Sequence, residues 1–209
     1  MQTFLETLRE QRWDDHRYYH HSRVNQALHF FSANCFLVTY VMLFTKYTSI
    51  AILFGWTIAM VSRQVGHFFF EPKGFDEENQ ATHEYKEAIK VGYNLQRKVF
   101  LHAVWALAPV VLWFVPSFFG VFALPHADFG RYLEHVATLW LWIAGFALVG
   151  RTVQLFFTRG FVTGAAWFSK ILTDPFNDWM QYKGAIPALL RGEKLDPMIE
   201  GAPQKAQAG

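Results

Sequence analysis

The sequence predicts an all-α, polytopic membrane helical bundle with about four transmembrane helices and an interfacial C-terminal helix. Two observations lead to this class. Of the 209 residues, 52% are hydrophobic and 18% are aromatic, which is too apolar for a disordered chain. The charged residues are also segregated, leaving four stretches with few or no charges, at residues 27–45, 47–62, 99–124 and 136–157.

The lengths of these stretches suit a bilayer. A hydrocarbon core of about 30 Å needs about 20 helical residues, and the first, third and fourth stretches have 19, 26 and 22. The second has 16, but it reaches the required length if it continues to Phe70, with the long side chain of Arg63 extending to the headgroups. Pro109 or Pro116 is expected to bend the third helix, because proline lacks a backbone N–H.

The chain after the fourth stretch is expected to stay at or outside the membrane surface. Residues 161–172 are short and amphipathic, which is typical of an interfacial helix. Thr173 and the residues after it have helix-start chemistry, and the last dozen residues are expected to be a loose tail. This divides the chain into a membrane-embedded domain at 1–172 and a cytoplasmic C-terminal segment at 173–209.

The basic residues alternate between the two sides of the predicted helices. Four Lys and Arg precede the first stretch, one follows it, six lie between Arg63 and Lys98, one lies in the next loop, and six follow the fourth stretch. Both termini should therefore be cytoplasmic. The net charge of +2 does not indicate a nucleic-acid partner. With no retention signal at the end, a bacterial inner membrane is favoured over the endoplasmic reticulum.

Ionisable side chains gather at the cytoplasmic ends of all four predicted helices. His29, His67, His102 and Arg151 each lie near that end of one helix, and such groups usually face a functional interior. Neutral imidazole is a common transition-metal ligand. Histidines with a carboxylate or water suit a non-haem Fe(II) site, although the same ligands also serve zinc hydrolysis.

The first motif lies at the entry to the first helix. Ser22 can cap a helix that begins at Arg23, which places Asn25 and His29 four residues apart on one face. In an unbroken helix, His21 and His29 would be about 12 Å apart. A metal ion shared by these two histidines therefore requires a break at Ser22.

The second motif lies at the end of the second helix. His67 and Glu71 are four residues apart, which suits two ligands or one ligand with a supporting carboxylate. His83 and Glu87 repeat this spacing in the central loop, where a solvated helix face is the expected interpretation.

Together the two motifs resemble a known enzyme family. The sequences TyrTyrHisHisSerArgValAsnGlnAlaLeuHis at 18–29 and ValGlyHisPhePhePheGluPro at 65–72 resemble the iron-dependent 2-hydroxy fatty acid dioxygenases of fatty-acid α-oxidation, a fungal endoplasmic-reticulum family with many bacterial members. The resemblance covers roughly residues 12–75. The residues that match the family pattern are His21, Asn25 and His29 in the first motif and Gly66, His67 and Glu71 in the second.

The resemblance implies that Fe(II) binds O₂ and a long-chain 2-hydroxy fatty acid, which is shortened by one carbon while its acyl chain stays in the bilayer. Its implied metal ligands and catalytic residues are His21, His29 and His67, with Asn25 and Glu71 supporting them. From the predicted topology, Arg151 is expected to bind the substrate carboxylate through its fork of donors.

Two other interpretations stay open. HisArgTyrTyrHisHis at 16–21 matches one histidine box of a di-iron membrane fatty acid hydroxylase or desaturase, but the sequence has no further box. A non-catalytic membrane protein, with histidines that only order the helix ends, is the other interpretation. The sequence does not decide whether His20, His83 or His102 is also a ligand, and it leaves open the acyl chain length, an aldehyde or acid product and the oligomeric state.

Overall fold

The computed structural model describes residues 2–71, 74–77 and 79–197, and within this part of the chain eight helices form and no strand does. The helices are α1 (Phe4–Tyr19), α2 (Arg23–Leu43), α3 (Thr48–Phe69), α4 (His83–Ile89), α5 (Leu95–Phe114), α6 (Phe129–Thr158), α7 (Phe161–Tyr182) and α8 (Ala185–Leu190). Helices α2, α3, α5 and α6 are long and apolar enough to span a membrane. The predicted fold class is confirmed, while the predicted loose tail and Pro72 of the second motif lie outside the described residues.

A break separates α1 from α2, as the sequence predicted. His20 occupies the C-cap position of α1. Ser22 occupies the N-cap position of α2, although its hydroxyl makes no capping hydrogen bond. The break releases His20 from the helical register of α2, so its position relative to His29 is not set by helix geometry.

The segment after α8 holds this break in place. The Arg23 N–H donates to the carbonyl of Lys194 at 3.0 Å, and the Asp196 N–H donates to the carbonyl of His21 at 2.8 Å. The Arg23 guanidinium also pairs with the Asp196 carboxylate at 2.8 Å. The conformation of residues 20–22 therefore depends on contacts with a distant part of the chain.

Helix α3 is continuous past Arg63, which gives the second apolar stretch the length that a membrane span needs. A π-helical turn, Gly55–Met60, interrupts its α-helical geometry. Within this turn, the Ala59 carbonyl accepts a hydrogen bond from the Ser32 hydroxyl at 2.7 Å. The turn therefore joins α3 to α2 through a buried polar contact.

An aromatic cluster joins α3, α5 and α6. Pro109 lies inside α5, whereas Pro116 follows the end of that helix. Because Pro109 has no N–H, the Trp105 carbonyl one turn earlier lacks its helical donor, and the Trp140 indole N–H donates to it at 3.0 Å. The Trp56 ring packs against both indoles, with centroid distances of 6.2 and 6.5 Å.

Helix α7 differs from the sequence expectation. The helix start predicted at Thr173 is wrong, because one helix continues through this position and contains Pro175. Helix α7 packs against α1, α2 and α6. Its continuation is explained by four inward-facing polar residues at four-residue spacing, which are Lys170, Asp174, Asp178 and Tyr182. The boundary drawn between residues 172 and 173 thus falls inside a helix.

Candidate metal centre

Three histidines from separate segments meet at one end of the long helices. His20 comes from the break, His29 from α2 and His67 from α3, and one ring nitrogen of each lies within 4.8 Å of the others. The ring centroids are 4.0 to 5.0 Å apart. We call these three residues the histidine cluster.

In two members of the cluster, the Nδ1 atom of the ring is hydrogen-bonded to a carboxylate. The Nδ1 of His29 lies 3.1 Å from the Asp178 carboxylate, and the Nδ1 of His67 lies 2.9 Å from the Glu71 carboxylate. An ionised carboxylate only accepts hydrogen bonds, so each Nδ1 carries the hydrogen. This tautomer leaves the lone pair of Nε2 available to a metal ion, as in many histidine metal sites.

A tyrosine hydroxyl orients the third member. The Tyr182 hydroxyl lies 3.1 Å from Nδ1 of His20 and 3.3 Å from Nδ1 of His16. A phenol can donate to one ring and accept from the other. If it accepts from His20, the Nε2 of His20 is also free. Burial, together with the nearby His29, holds the pKa of His20 well below its usual value, so the ring is neutral near neutral pH.

The free nitrogens of the cluster make it a suitable metal site. The Nε2 atoms of His20 and His29 are buried and have no hydrogen-bond partner in the described part of the chain. Leaving a buried polar atom without a partner costs free energy, and such atoms are rare in native proteins. One transition-metal ion bound by the three imidazoles would satisfy them. The residues present therefore fit a metal ion.

Asp178 is held in its ionised form. Burial raises the pKa of its carboxyl, but the Arg63 guanidinium at 2.9 Å and the hydrogen bond from His29 outweigh burial and lower the pKa to about 2. The carboxylate can therefore accept the His29 hydrogen and stabilise positive charge at the ring.

A network of buried charges connects this carboxylate to the rest of the bundle. Arg63 also reaches Asp174 at 3.4 Å. Lys170 pairs with Asp174 at 2.7 Å and with Asp15 at 2.6 Å. Helices α1, α3 and α7 are thus joined beside the histidine cluster.

Asn25 and Gly66 form a close contact next to the cluster. The buried Asn25 side chain donates to the Tyr19 carbonyl at 2.7 Å. A Cβ atom on Gly66 would lie 2.1 Å from the Asn25 Oδ1. A glycine at position 66 therefore allows α2 and α3 to approach, and Asn25 supports the break rather than joining the cluster.

The structure changes one of the expected ligands. His29 and His67 come together as expected, but His20 completes the cluster and His21 is not a member of it. His20 is the one of these two adjacent histidines that packs on His29, with the ring centroids 4.0 Å apart. Glu71 takes the supporting role that its spacing allowed.

A cavity of about 420 Å³ extends from the cluster between the long helices. This volume lies in the usual range for small-molecule sites. His20, His67 and Arg63 lie at its polar end. The apolar wall includes Trp56, Trp105, Ile143, Ala147, Leu148 and Ile171.

Arg151 does not line this cavity. Its guanidinium donates to the Val91 carbonyl at 2.6 and 3.1 Å, to the Gly92 carbonyl at 3.2 Å and to the Gln154 side chain at 2.7 Å. Arg151 therefore orders a segment that lines the cavity, and four of its five N–H donors are already used. The carboxylate-binding role expected for it does not fit this geometry.

His83 and His102, which the sequence left undecided as ligands, lie near the cluster but outside it. His102 lines the cavity. His83 lines a small crevice beside the cavity, together with His67 and Glu87.

Sequence reasoning missed the residues that α7 brings to the site. Asp178 and Tyr182 orient two members of the cluster, and Asp174 joins the charge network. The signal was available in the four-residue spacing of polar side chains along an otherwise apolar helix. Ending the predicted segment at Leu172 divided that pattern.

The fold and the site define a class, an all-α bundle with four helices that could span a membrane and a candidate three-histidine metal centre. The chain matches no protein-family profile, no curated protein and no solved structure.

Proposed function

We propose that this chain is a membrane-embedded, Fe(II)-dependent dioxygenase that shortens long-chain 2-hydroxy fatty acids by one carbon. The observation that carries the proposal is the histidine cluster, two members of which, His20 and His67, line a largely apolar cavity. The Nε2 atoms of His20 and His29 are buried and have no hydrogen-bond partner in the described part of the chain. An elongated amphiphile is the ligand that such a cavity suits. The sequence motifs that resemble the 2-hydroxy fatty acid dioxygenases contain two members of the cluster, His29 and His67.

The proposed reaction balances without an external reductant when the product is an acid. RCH(OH)COOH and O₂ give RCOOH, CO₂ and H₂O, with the bond between C1 and C2 broken. The substrate carbons lose four electrons and O₂ gains four. When bound, iron would supply a redox-active position at which O₂ and the substrate meet.

The residues of the chain hold and shield this position. Asp178, Glu71 and Tyr182 fix the rings of the cluster through their Nδ1 atoms. His20 and His29 are buried, which limits access of water from outside the cavity.

The location is part of the proposal. We infer an integral membrane protein with both termini and the segment around α4 on the cytoplasmic side, following the distribution of basic residues. A bacterial inner membrane is favoured over the endoplasmic reticulum. In this orientation the histidine cluster lies near the cytoplasmic surface of the membrane. The headgroup of a lipid substrate could reach the cluster there while its acyl chain remains among apolar residues.

The test begins with anaerobic purification in detergent and measurement of iron and zinc per chain. O₂ and a long-chain 2-hydroxy fatty acid are then added, and the shortened product is identified as acid or aldehyde. His67→Ala is the test variant. His126→Ala, in the loop at the opposite end of α5, is the matched control.

The expected result is about one iron per chain and a product that is lost in His67→Ala but kept in His126→Ala. Two irons per chain would favour a di-iron hydroxylase, and zinc would favour hydrolysis. A folded protein with neither metal nor product would refute the proposal and leave a structural role for the histidines.

A further inference from the structure

One of the cations that line the cavity makes no ion pair in the described part of the chain. Four cationic side chains line it, and three of them are paired. Arg63 pairs with Asp178 and Asp174, Lys170 with Asp15 and Asp174, and Lys90 with Glu71 and Glu87.

Lys98 is the fourth cation. No carboxylate of the described residues lies within 4 Å of its ammonium, and the side chain is half-buried. It lines both the cavity and the adjacent crevice, which it shares with His67. A half-buried cation that faces a cavity without a partner is a natural position for an anionic ligand group.

His102 provides a second polar group one helical turn further along α5. Its Nδ1 lies 2.6 Å from the Lys98 carbonyl, which can only accept, so Nδ1 carries the hydrogen. The Nε2 atom is then an acceptor, and it is buried without a hydrogen-bond partner among the described residues. His102 also lines the cavity.

The four-residue spacing of Lys98 and His102 places both side chains on the face of α5 that continues into the apolar wall of the cavity. Residues four apart lie on one face of a helix, so Lys98 and His102 face the cavity together. Trp105 continues the same face into the apolar part. A ligand along this face would meet a cation first, then an acceptor, then hydrocarbon.

We propose that Lys98 and His102 form a headgroup subsite that binds a single-chain carboxylic acid. Lys98 pairs with the carboxylate, and the Nε2 of His102 accepts a hydrogen bond from a hydroxyl next to it. The identity of the acid as a 2-hydroxy fatty acid rests on the proposed function, whereas the carboxylate recognition rests on the cavity alone. The subsite would distinguish a hydroxylated acid from a plain one.

The test is anaerobic equilibrium binding of three labelled lipids to the protein as purified, in phosphatidylcholine nanodiscs. The lipids are 2-hydroxyhexadecanoic acid, hexadecanoic acid and hexadecanol. The variants are Lys98→Met, Lys98→Arg and His102→Leu. The control is Arg97→Met, which removes an exposed cation from the neighbouring position outside the cavity.

Lys98→Met should weaken the binding of both acids about tenfold or more, while the alcohol binds as before. Lys98→Arg should recover most of this loss. His102→Leu should weaken only the hydroxylated acid, about tenfold, and so remove the preference for it. Arg97→Met should bind all three lipids like the unmodified protein.

The inference is overturned if the affinity of Lys98→Met for both acids is within about twofold of that of the unmodified protein. It is also overturned if the affinity for the alcohol falls as much as the affinity for the acids. Metal content is measured on the same samples, and shortened product is measured after O₂ has been added to them. If the unmodified protein binds the acids through Lys98 but holds no metal and forms no product, the proposed function fails and the headgroup subsite stands.

Discussion

His20 and His21 are adjacent in the sequence, yet only His20 contributes a nitrogen to the histidine cluster. The difference arises at the break between α1 and α2, where the His20 ring packs on the His29 ring at a centroid distance of 4.0 Å. At the scale of single residues, backbone conformation therefore decides which imidazole can be a ligand.

This pair gives the first prediction. His20→Ala should reduce bound iron from about one per chain to almost none, because a three-nitrogen site loses one of its ligands. His21→Ala should retain the iron even if it lowers the thermal unfolding temperature. Metal analysis of the folded, monodisperse fraction measures both, and iron lost only from His21→Ala would contradict the assignment.

Gly66 gives a second prediction at the same scale. Gly66→Ala should destabilise the protein by about 1–3 kcal/mol and lower its iron content, because the new Cβ would overlap the Asn25 side chain. Gly145→Ala in α6 is the matched control, since no atom lies within 4 Å of the added carbon. Thermal unfolding in detergent and metal analysis compare the two, and equal behaviour would argue against the close contact.

At the scale of elements, α7 explains where prediction from the sequence succeeded and where it failed. The four apolar spans follow from long uncharged stretches, which are a local signal. Ser22 marked the position of the break, but its hydroxyl makes no capping hydrogen bond and residues 194–196 hold the break in place. The continuation of α7 past Thr173 depends on partners far away in the sequence, such as Arg63 and Asp15. A local helix-start signal was therefore outweighed by buried tertiary contacts.

The same reasoning applies to the site. His29 was predictable because its four-residue spacing from Asn25 lies within one helix, and His67 and Glu71 because the same spacing spans the end of another. The choice between His20 and His21 could not be predicted, because it depends on a break that residues 194–196 hold in place. The role expected for Arg151 failed because topology gives depth in the membrane but not the direction of a side chain.

Helix α7 also supports a third prediction. Asp178→Asn should weaken iron binding about 10- to 100-fold, because an amide cannot stabilise the His29 ring as a carboxylate does. Gln181→Ala, at an exposed position on the same helix, is the control and should bind iron normally. Competition with a calibrated chelator measures the affinity. An unchanged affinity in Asp178→Asn would show that Asp178 does not support the centre.

At the scale of the whole molecule, the proposed orientation places the histidine cluster at the cytoplasmic surface. After Cys35→Ser, the single substitutions Gln2→Cys and Ala123→Cys report on opposite ends of the bundle. In intact cells a membrane-impermeant maleimide should label Ala123→Cys and not Gln2→Cys, because α5 and α6 meet at the external side. In inverted membrane vesicles the labelling should reverse, and the opposite pattern would place the cluster outside the cell.

The partners of the histidine cluster come from opposite parts of the chain. Asp178 follows His29 by 149 residues, and Tyr182 follows His20 by 162. During translation, the three histidines emerge from the ribosome long before Asp178 and Tyr182, which orient two of them, have been synthesised. During synthesis, the rings of His20 and His29 therefore remain unsupported until α7 emerges. The support that Asp178 and Tyr182 give to the cluster exists only after this late helix has docked, so we expect iron to be acquired after translation rather than during it.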